Sequence, residues 1–115
     1  MSEPSIFTRI LNGDTRAEII AETENAFAIR DIAPKAPVHL LVIPKTEQYR
    51  NVVELAAGDP ALLAELVGLA NTIAAQHGNG DFRLVFNTGE TAGQSVFHVH
   101  AHVLSGELDE KNLGG

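Results

Sequence analysis

Apolar positions recur along this 115-residue chain with two periods, one helical and one extended, and they divide it into short elements. Ile6, Phe7, Ile10 and Leu11 fall at helical spacing, so Pro4 to Leu11 is predicted as a short helix that stops at Asn12-Gly13. Glu18 to Glu22 and Ala26 to Asp31 flank a turn around Glu24-Asn25 and read as a hairpin. His39 to Ile43 is an apolar run bounded by Pro37 and Pro44, which gives a third strand. A long helix follows: Asp59 caps it, Pro60 suits its first position, and Leu63, Leu66, Val67, Ala70, Ile73 and Ala74 repeat until Gly78. His77, in its last turn, is expected to favour the negative end of the helix dipole rather than to bind a ligand. Phe82 to Asn87 and Phe97 to Leu104 supply two more strands, joined by a polar loop over 88–96. The expectation is an α+β domain over residues 1–115: about five strands in an antiparallel sheet, one long helix, a short N-terminal helix and a tail over 105–115.

Composition narrows the class. Eight Lys and Arg against fifteen Asp and Glu give a formal charge of −7, which argues against nucleic acid or an anionic membrane as the main partner. With no cysteine there is no disulfide and no thiolate metal site. No apolar run approaches the roughly 20 residues of a membrane-spanning helix, and the charges and proline within Met1 to Ile10 do not suit a signal peptide. A soluble, cytoplasmic protein is expected.

The chemistry concentrates in His98-Val99-His100-Ala101-His102, which holds three of the five histidines at every second position. A strand would project all three imidazoles from one face and leave the small apolar residues to pack behind it. Such a row has three readings. As a metal site it is limited by reach: His98 and His102 would lie roughly 13 Å apart at about 3.3 Å per residue, so at most two of the three could join one ion, and no metal is expected. As buried structural groups, three neighbouring imidazoles would all need hydrogen-bond partners. As a catalytic row, the central imidazole would attack phosphorus with one nitrogen while the other donates to a neighbour, and its flanks would handle phosphoryl oxygens and protons. Gly89 and Gly93 in the preceding loop would let backbone amides cradle an anion, and Ser95 adds a hydroxyl.

The segment Gln94-Ser95-Val96-Phe97-His98-Val99-His100-Ala101-His102-Val103-Leu104 resembles the signature of the histidine triad (HIT) proteins, and its Gln-Ser-Val start is similar to the Hint branch of purine nucleoside phosphoramidases. Ser5-Ile6-Phe7, Arg30-Asp31-Ile32-Ala33-Pro34 and the run from Ala36 to Lys45 match earlier segments of that family in order. The resemblance implies that His100 attacks the α-phosphorus of a nucleoside phosphoramidate, becomes nucleotidylated, and is released by water as a purine nucleoside 5′-monophosphate forms. It implies that His98 and His102 assist, that His39 belongs to the supporting imidazole network, and that Ser95 stands near the departing amine. Asp31 would receive the ribose hydroxyls. Phe7, Ile10, Ile29 and Ile32 would form the purine slot, while Asn87, Gly93, Gln94 and backbone at Val96 would line the phosphate region. It implies a homodimer with a continuous sheet and no cofactor.

Each of these positions also has an ordinary explanation. Asp31 could start a turn, Phe7, Ile10, Ile29 and Ile32 could be core, Asn87 could cap a strand end, and His39 alone would read as a satisfied core histidine. The tail over 106–115 lacks the aromatic residues that some Hint proteins carry there, and Ala92 stands where a second glycine is common. The leaving group is therefore open. A nucleotide-binding or interaction module with little turnover, and a dinucleoside polyphosphate hydrolase, are the alternatives at this point.

Overall fold

The computed structural model describes residues 3–109. The first helix, α1, runs over Ile6–Leu11, and Ser5 caps it by accepting the Thr8 amide on its hydroxyl at 3.2 Å. The strands β1 (Ile19–Glu22), β2 (Ala26–Arg30) and β3 (Val38–Pro44) follow as expected. A second helix, α2 (Val52–Gly58), precedes the long α3 (Pro60–His77), and β4 (Arg83–Val85) and β5 (Ala101–Ser105) complete the sheet. Five strands in the order β1-β2-β3-β5-β4, all antiparallel, form one sheet.

Strand alternation gives the sheet two different faces. Ala26, Ala28, Leu40, Val42, Ala101 and Val103 point to one side, where Leu62, Leu66, Leu69, Ala70 and Ile73 of α3 bury against them. The alanines leave room for the helix, and each fully buried leucine or isoleucine contributes about 1.5–3 kcal/mol. The opposite face carries Phe27, Ile29, Leu41 and Ile43, covered by Phe7 and Ile10 of α1. The register sets Leu41 opposite His102 and His39 opposite Leu104, so both imidazoles stand on this second face beside α1. The short helix is thus a wall of the site as well as part of the core.

Several expectations are corrected. The strand foreseen over Phe97–Leu104 pairs only from Ala101 onward. Before that the chain is held singly, the Val99 amide donating to Tyr49 O at 3.1 Å, so only His102 of the three histidines lies in the ladder. The strand foreseen over Phe82–Asn87 shrinks to Arg83–Val85. The helix over 52–58 was not foreseen: it is seven residues long and opens on two valines, which hides it from a periodicity count. Asp59 caps α3 as expected, its carboxylate accepting the Leu62 amide at 3.0 Å. His77 stands in the last turn of α3, where its Nδ1 accepts a hydrogen bond from Arg30 Nη2 at 3.4 Å. Among the described residues, no helix is long and apolar enough to cross a membrane.

Candidate active site

The hydrogen-bond network assigns a proton to one nitrogen of each imidazole in the cluster. His100 Nδ1 lies 2.9 Å from the His98 carbonyl, which can only accept, so Nδ1 carries the proton and Nε2 keeps a lone pair. His98 donates from Nε2 to Pro44 O at 2.7 Å and accepts the Ser5 hydroxyl on Nδ1 at 2.5 Å. Both of its nitrogens are spent, and the ring is 1% exposed. His39 accepts the Lys35 amide on Nδ1 at 2.9 Å and so donates from Nε2, which lies 2.9 Å from His102 Nδ1. His102 must then carry its own proton on Nε2, opposite the nitrogen that accepts from His39.

Burial keeps these rings neutral. His100 is lowered below its ordinary value by desolvation, with the His98 carbonyl opposing and the His98 ring adding to the effect. His102 is lowered furthest, to about 4, by desolvation and then by the neighbouring His100 and His39. His39 and His98 are also lowered, each chiefly by desolvation. His39 therefore meets Asp31 Oδ2, 3.4 Å from its Nε2, as a neutral ring and not as an ion. Phe7 packs on His100 with ring centroids 4.8 Å apart, and His100 stands edge-on to His102 at 5.2 Å.

One ligand atom from each of Asp31, His39 and His102 lies within 4.8 Å of the others, a donor set that suggests a cation. The tautomers argue against it. To ligate through Nε2, His39 would have to move its proton to Nδ1, where it would confront the Lys35 amide and break a half-buried hydrogen bond. Within the trio the Nε2 proton of His39 faces His102 Nδ1 at 2.9 Å, with Asp31 Oδ2 3.4 Å away.

Two cavities meet at this cluster and share Asp31 and His102. The first, about 350 Å³, has apolar walls from Ile6, Phe7, Ile10, Ile29, Ile32 and Leu41 and a polar end at Ser95, Val96, His100 and His102. The second, about 520 Å³, is lined by Lys35, His39, Val85, Asn87 and Gly93 among others. An apolar slot ending on a bare imidazole nitrogen suits a flat apolar group joined to an electrophile.

Residues 12–109 match the HIT domain family. The chain belongs to that family. It is 45% identical over 107 residues to an uncharacterized HIT-like protein of Synechococcus elongatus, covering 92% of this chain and 93% of that one. Among solved structures it resembles a HIT family hydrolase from Clostridium thermocellum, with a TM-score of 0.85, 37% identity and 96% of each chain covered. A HIT family hydrolase from Legionella pneumophila matches with a TM-score of 0.83 and 36% identity, over 91% of this chain and 95% of that one. The fold is therefore that of proteins named HIT hydrolases.

Within this HIT site the sequence-named residues divide. His100, His102, Asp31, Ile32, Phe7, Ile10, Ile29, Ser95 and Val96 share the apolar cavity, and His39, Asn87 and Gly93 line its neighbour. Ile32 is 94% exposed at the rim, while Phe7, Ile10 and Ile29 are buried, wall and core at once. Asp31 also starts a turn, its Oδ1 accepting the Ala33 amide at 2.7 Å.

Two expectations change. His98 does not share a face with a cleft: its ring is sealed between α1 and Pro44, and its carbonyl is what orients His100. In the glycine loop the amides of Ala92, Gly93 and Gln94 are spent within it and that of Gly89 donates to Gln94 Oε1, so the glycines shape the loop and its unengaged amides lie at the Ser95-Val96 end. Gln94 is a buried clasp, donating to Arg50 O at 2.6 Å and Val96 O at 3.0 Å. Among the described residues no acceptor engages the Ser95 and Val96 amides.

Sequence reasoning missed Thr15, Arg16 and Ala17, which the α1–β1 connection brings to the apolar cavity. They carry no periodic signal, and only the path of the connection over α1 reveals them. The hydroxyl of Ser5 and the amide of Lys35 were also overlooked as partners of imidazoles.

Proposed function

We propose that this protein hydrolyses nucleoside phosphoramidates, in the manner of the Hint branch, and releases a purine nucleoside 5′-monophosphate. The observation that carries the reading is the unspent Nε2 lone pair of His100, fixed by the Nδ1 bond to the His98 carbonyl at 2.9 Å and kept unprotonated at neutral pH by desolvation. A neutral imidazole so oriented is a nucleophile at neutral pH.

In the proposed reaction the base enters the apolar slot and the ribose hydroxyls bond to Asp31, whose carboxylate retains acceptor sites beyond the Ala33 amide. The amides of Ser95 and Val96 and the Nε2 proton of His102 bind the phosphoryl oxygens, and they stabilise the charge that builds as Nε2 of His100 attacks. The new N–P bond forms as the substrate P–N bond breaks, and the amine departs with a proton passed from solvent through the Ser95 hydroxyl. Water then attacks the same phosphorus, its proton returns to solvent, and His100 leaves with its lone pair restored. His39 holds His102 in the tautomer that this scheme requires. Asn87, Gly93 and Gln94 shape the loop beside the phosphate. A homodimer continuing the sheet across the β4 edge belongs to the same reading, and a cytoplasmic setting fits a cysteine-free chain that acts on a purine nucleotide.

The test is release of AMP from adenosine 5′-phosphoramidate. The wild-type protein is expected to turn over, His100→Ala to lose three or more orders of magnitude, and rapid-quench intact mass to reveal a nucleotidyl adduct only when His100 is present. Equal background release by both proteins overturns the proposal.

A further inference from the structure

We infer that Arg16 reads the base in the apolar slot and makes this protein prefer 6-oxopurine nucleotides, guanine above adenine; the inference rests on the slot holding a purine nucleotide. Most of the surfaces around that slot are apolar or already committed. Arg30 also lines it, but Arg30 Nε is held by Glu18 at 3.1 Å and Nη2 reaches His77. His100 and His102 are neutral, and Asp31 is an acceptor only. Arg16 is exposed on the α1–β1 connection, lines the same cavity, and engages no hydrogen bond or ion pair among the described residues. It is the one cationic fork on this wall whose donors are not taken up.

The walls formed by isoleucines and Phe7 recognise the plane of a ring and cannot tell one purine from another. A guanidinium can. Guanine presents O6 and N7 as two adjacent acceptors, matched by the parallel N–H pair of an arginine, whereas adenine places the N6 donor beside N7 and so sets a donor against a donor. In an acidic protein an uncommitted arginine at a nucleotide slot also adds local attraction for the phosphate-bearing ligand, but that attraction is the same for every base. Discrimination comes only from the fork.

The test measures binding of GMP, IMP and AMP to the intact wild-type protein and to Arg16→Ala by calorimetry, with circular dichroism confirming that the exposed substitution leaves the fold in place. Wild type is expected to bind GMP and IMP roughly tenfold more tightly than AMP, the low end of what one bidentate arginine–guanine pair discriminates. IMP keeps O6 and N7 but lacks the 2-amino group, so it should follow GMP. Arg16→Ala should bring the three affinities within about twofold of one another. Equal affinities in the wild type, an unchanged ratio in Arg16→Ala, or IMP behaving like AMP overturns the role of Arg16. Failure of every nucleotide to bind instead overturns the proposed function on which it rests.

Discussion

Gln94 shows how much of a site is decided by a side chain that never meets the reacting atoms. Its amide spans the loop that carries Ser95 and Val96, accepting the Gly89 amide and donating to Arg50 O and Val96 O while 3% exposed. Gln94→Ala removes all three bonds and leaves buried backbone groups to be rehydrated. The expected loss is about 2 kcal/mol, read as a lower urea midpoint at unchanged slope, together with a larger fall in turnover than in nucleotide affinity, because the amides it fixes act on the phosphorus. At this scale the histidines were legible in the sequence, since three imidazoles at alternate positions are rare as composition. Their tautomers were not, because each depends on a partner that the pattern does not mark: the Pro44 carbonyl and Ser5 hydroxyl for His98, the His98 carbonyl for His100, the Lys35 amide for His39 and His39 for His102. Periodicity carries no information about such pairings.

Elements were legible where one periodicity ran long enough to be counted. α3, eighteen residues with a cap, a proline and a terminal glycine, was readable almost to its ends. The hairpin of β1 and β2 and the apolar β3 were as clear. β5 was over-read, because alternation marks extended chain and not ladder pairing: the β3–β5 register stops at Val42 opposite Ala101, and Pro44 at the end of β3 has no amide to donate and lends its carbonyl to the His98 ring instead. The missed α2 joins the core through Leu55 and through its end at Gly58, where an added Cβ would come within 2.4 Å of Tyr49 Cε1. Tyr49 is nearly buried, and its carbonyl holds the Val99 amide, so it has little freedom to retreat. Gly58→Ala is therefore expected to destabilise by about 1–3 kcal/mol through overpacking, despite the better helix propensity of alanine. A thermal midpoint at or above that of the wild type would show that Tyr49 moves aside without cost.

For the molecule as a whole, four imidazoles held below their ordinary value make stability depend on pH, with a definite sign. In the unfolded chain each titrates near 6.5, and in the folded protein His102 does so only near 4. Between those values the unfolded state binds more protons than the folded one, so stability rises with pH across the window and levels off above about 6.5. Read in the other direction, acid unfolds the protein by charging rings that the fold keeps neutral, and His39, His98 and His100 act in the same sense because each is also lowered. Denaturant titrations at intervals from pH 8 to pH 4.5 should give a plateau followed by a fall, with uptake of at least about one proton on unfolding near pH 5. His102→Asn should flatten part of that fall while leaving the contribution of the other three. Turnover should follow a related course, with an acid limb lying below 6.5, because the nucleophile stays unprotonated to a lower pH than a free imidazole would. A stability maximum on the acid side of pH 6 would mean that these rings are charged in the folded protein, and the lone pair assigned to His100 would then not exist.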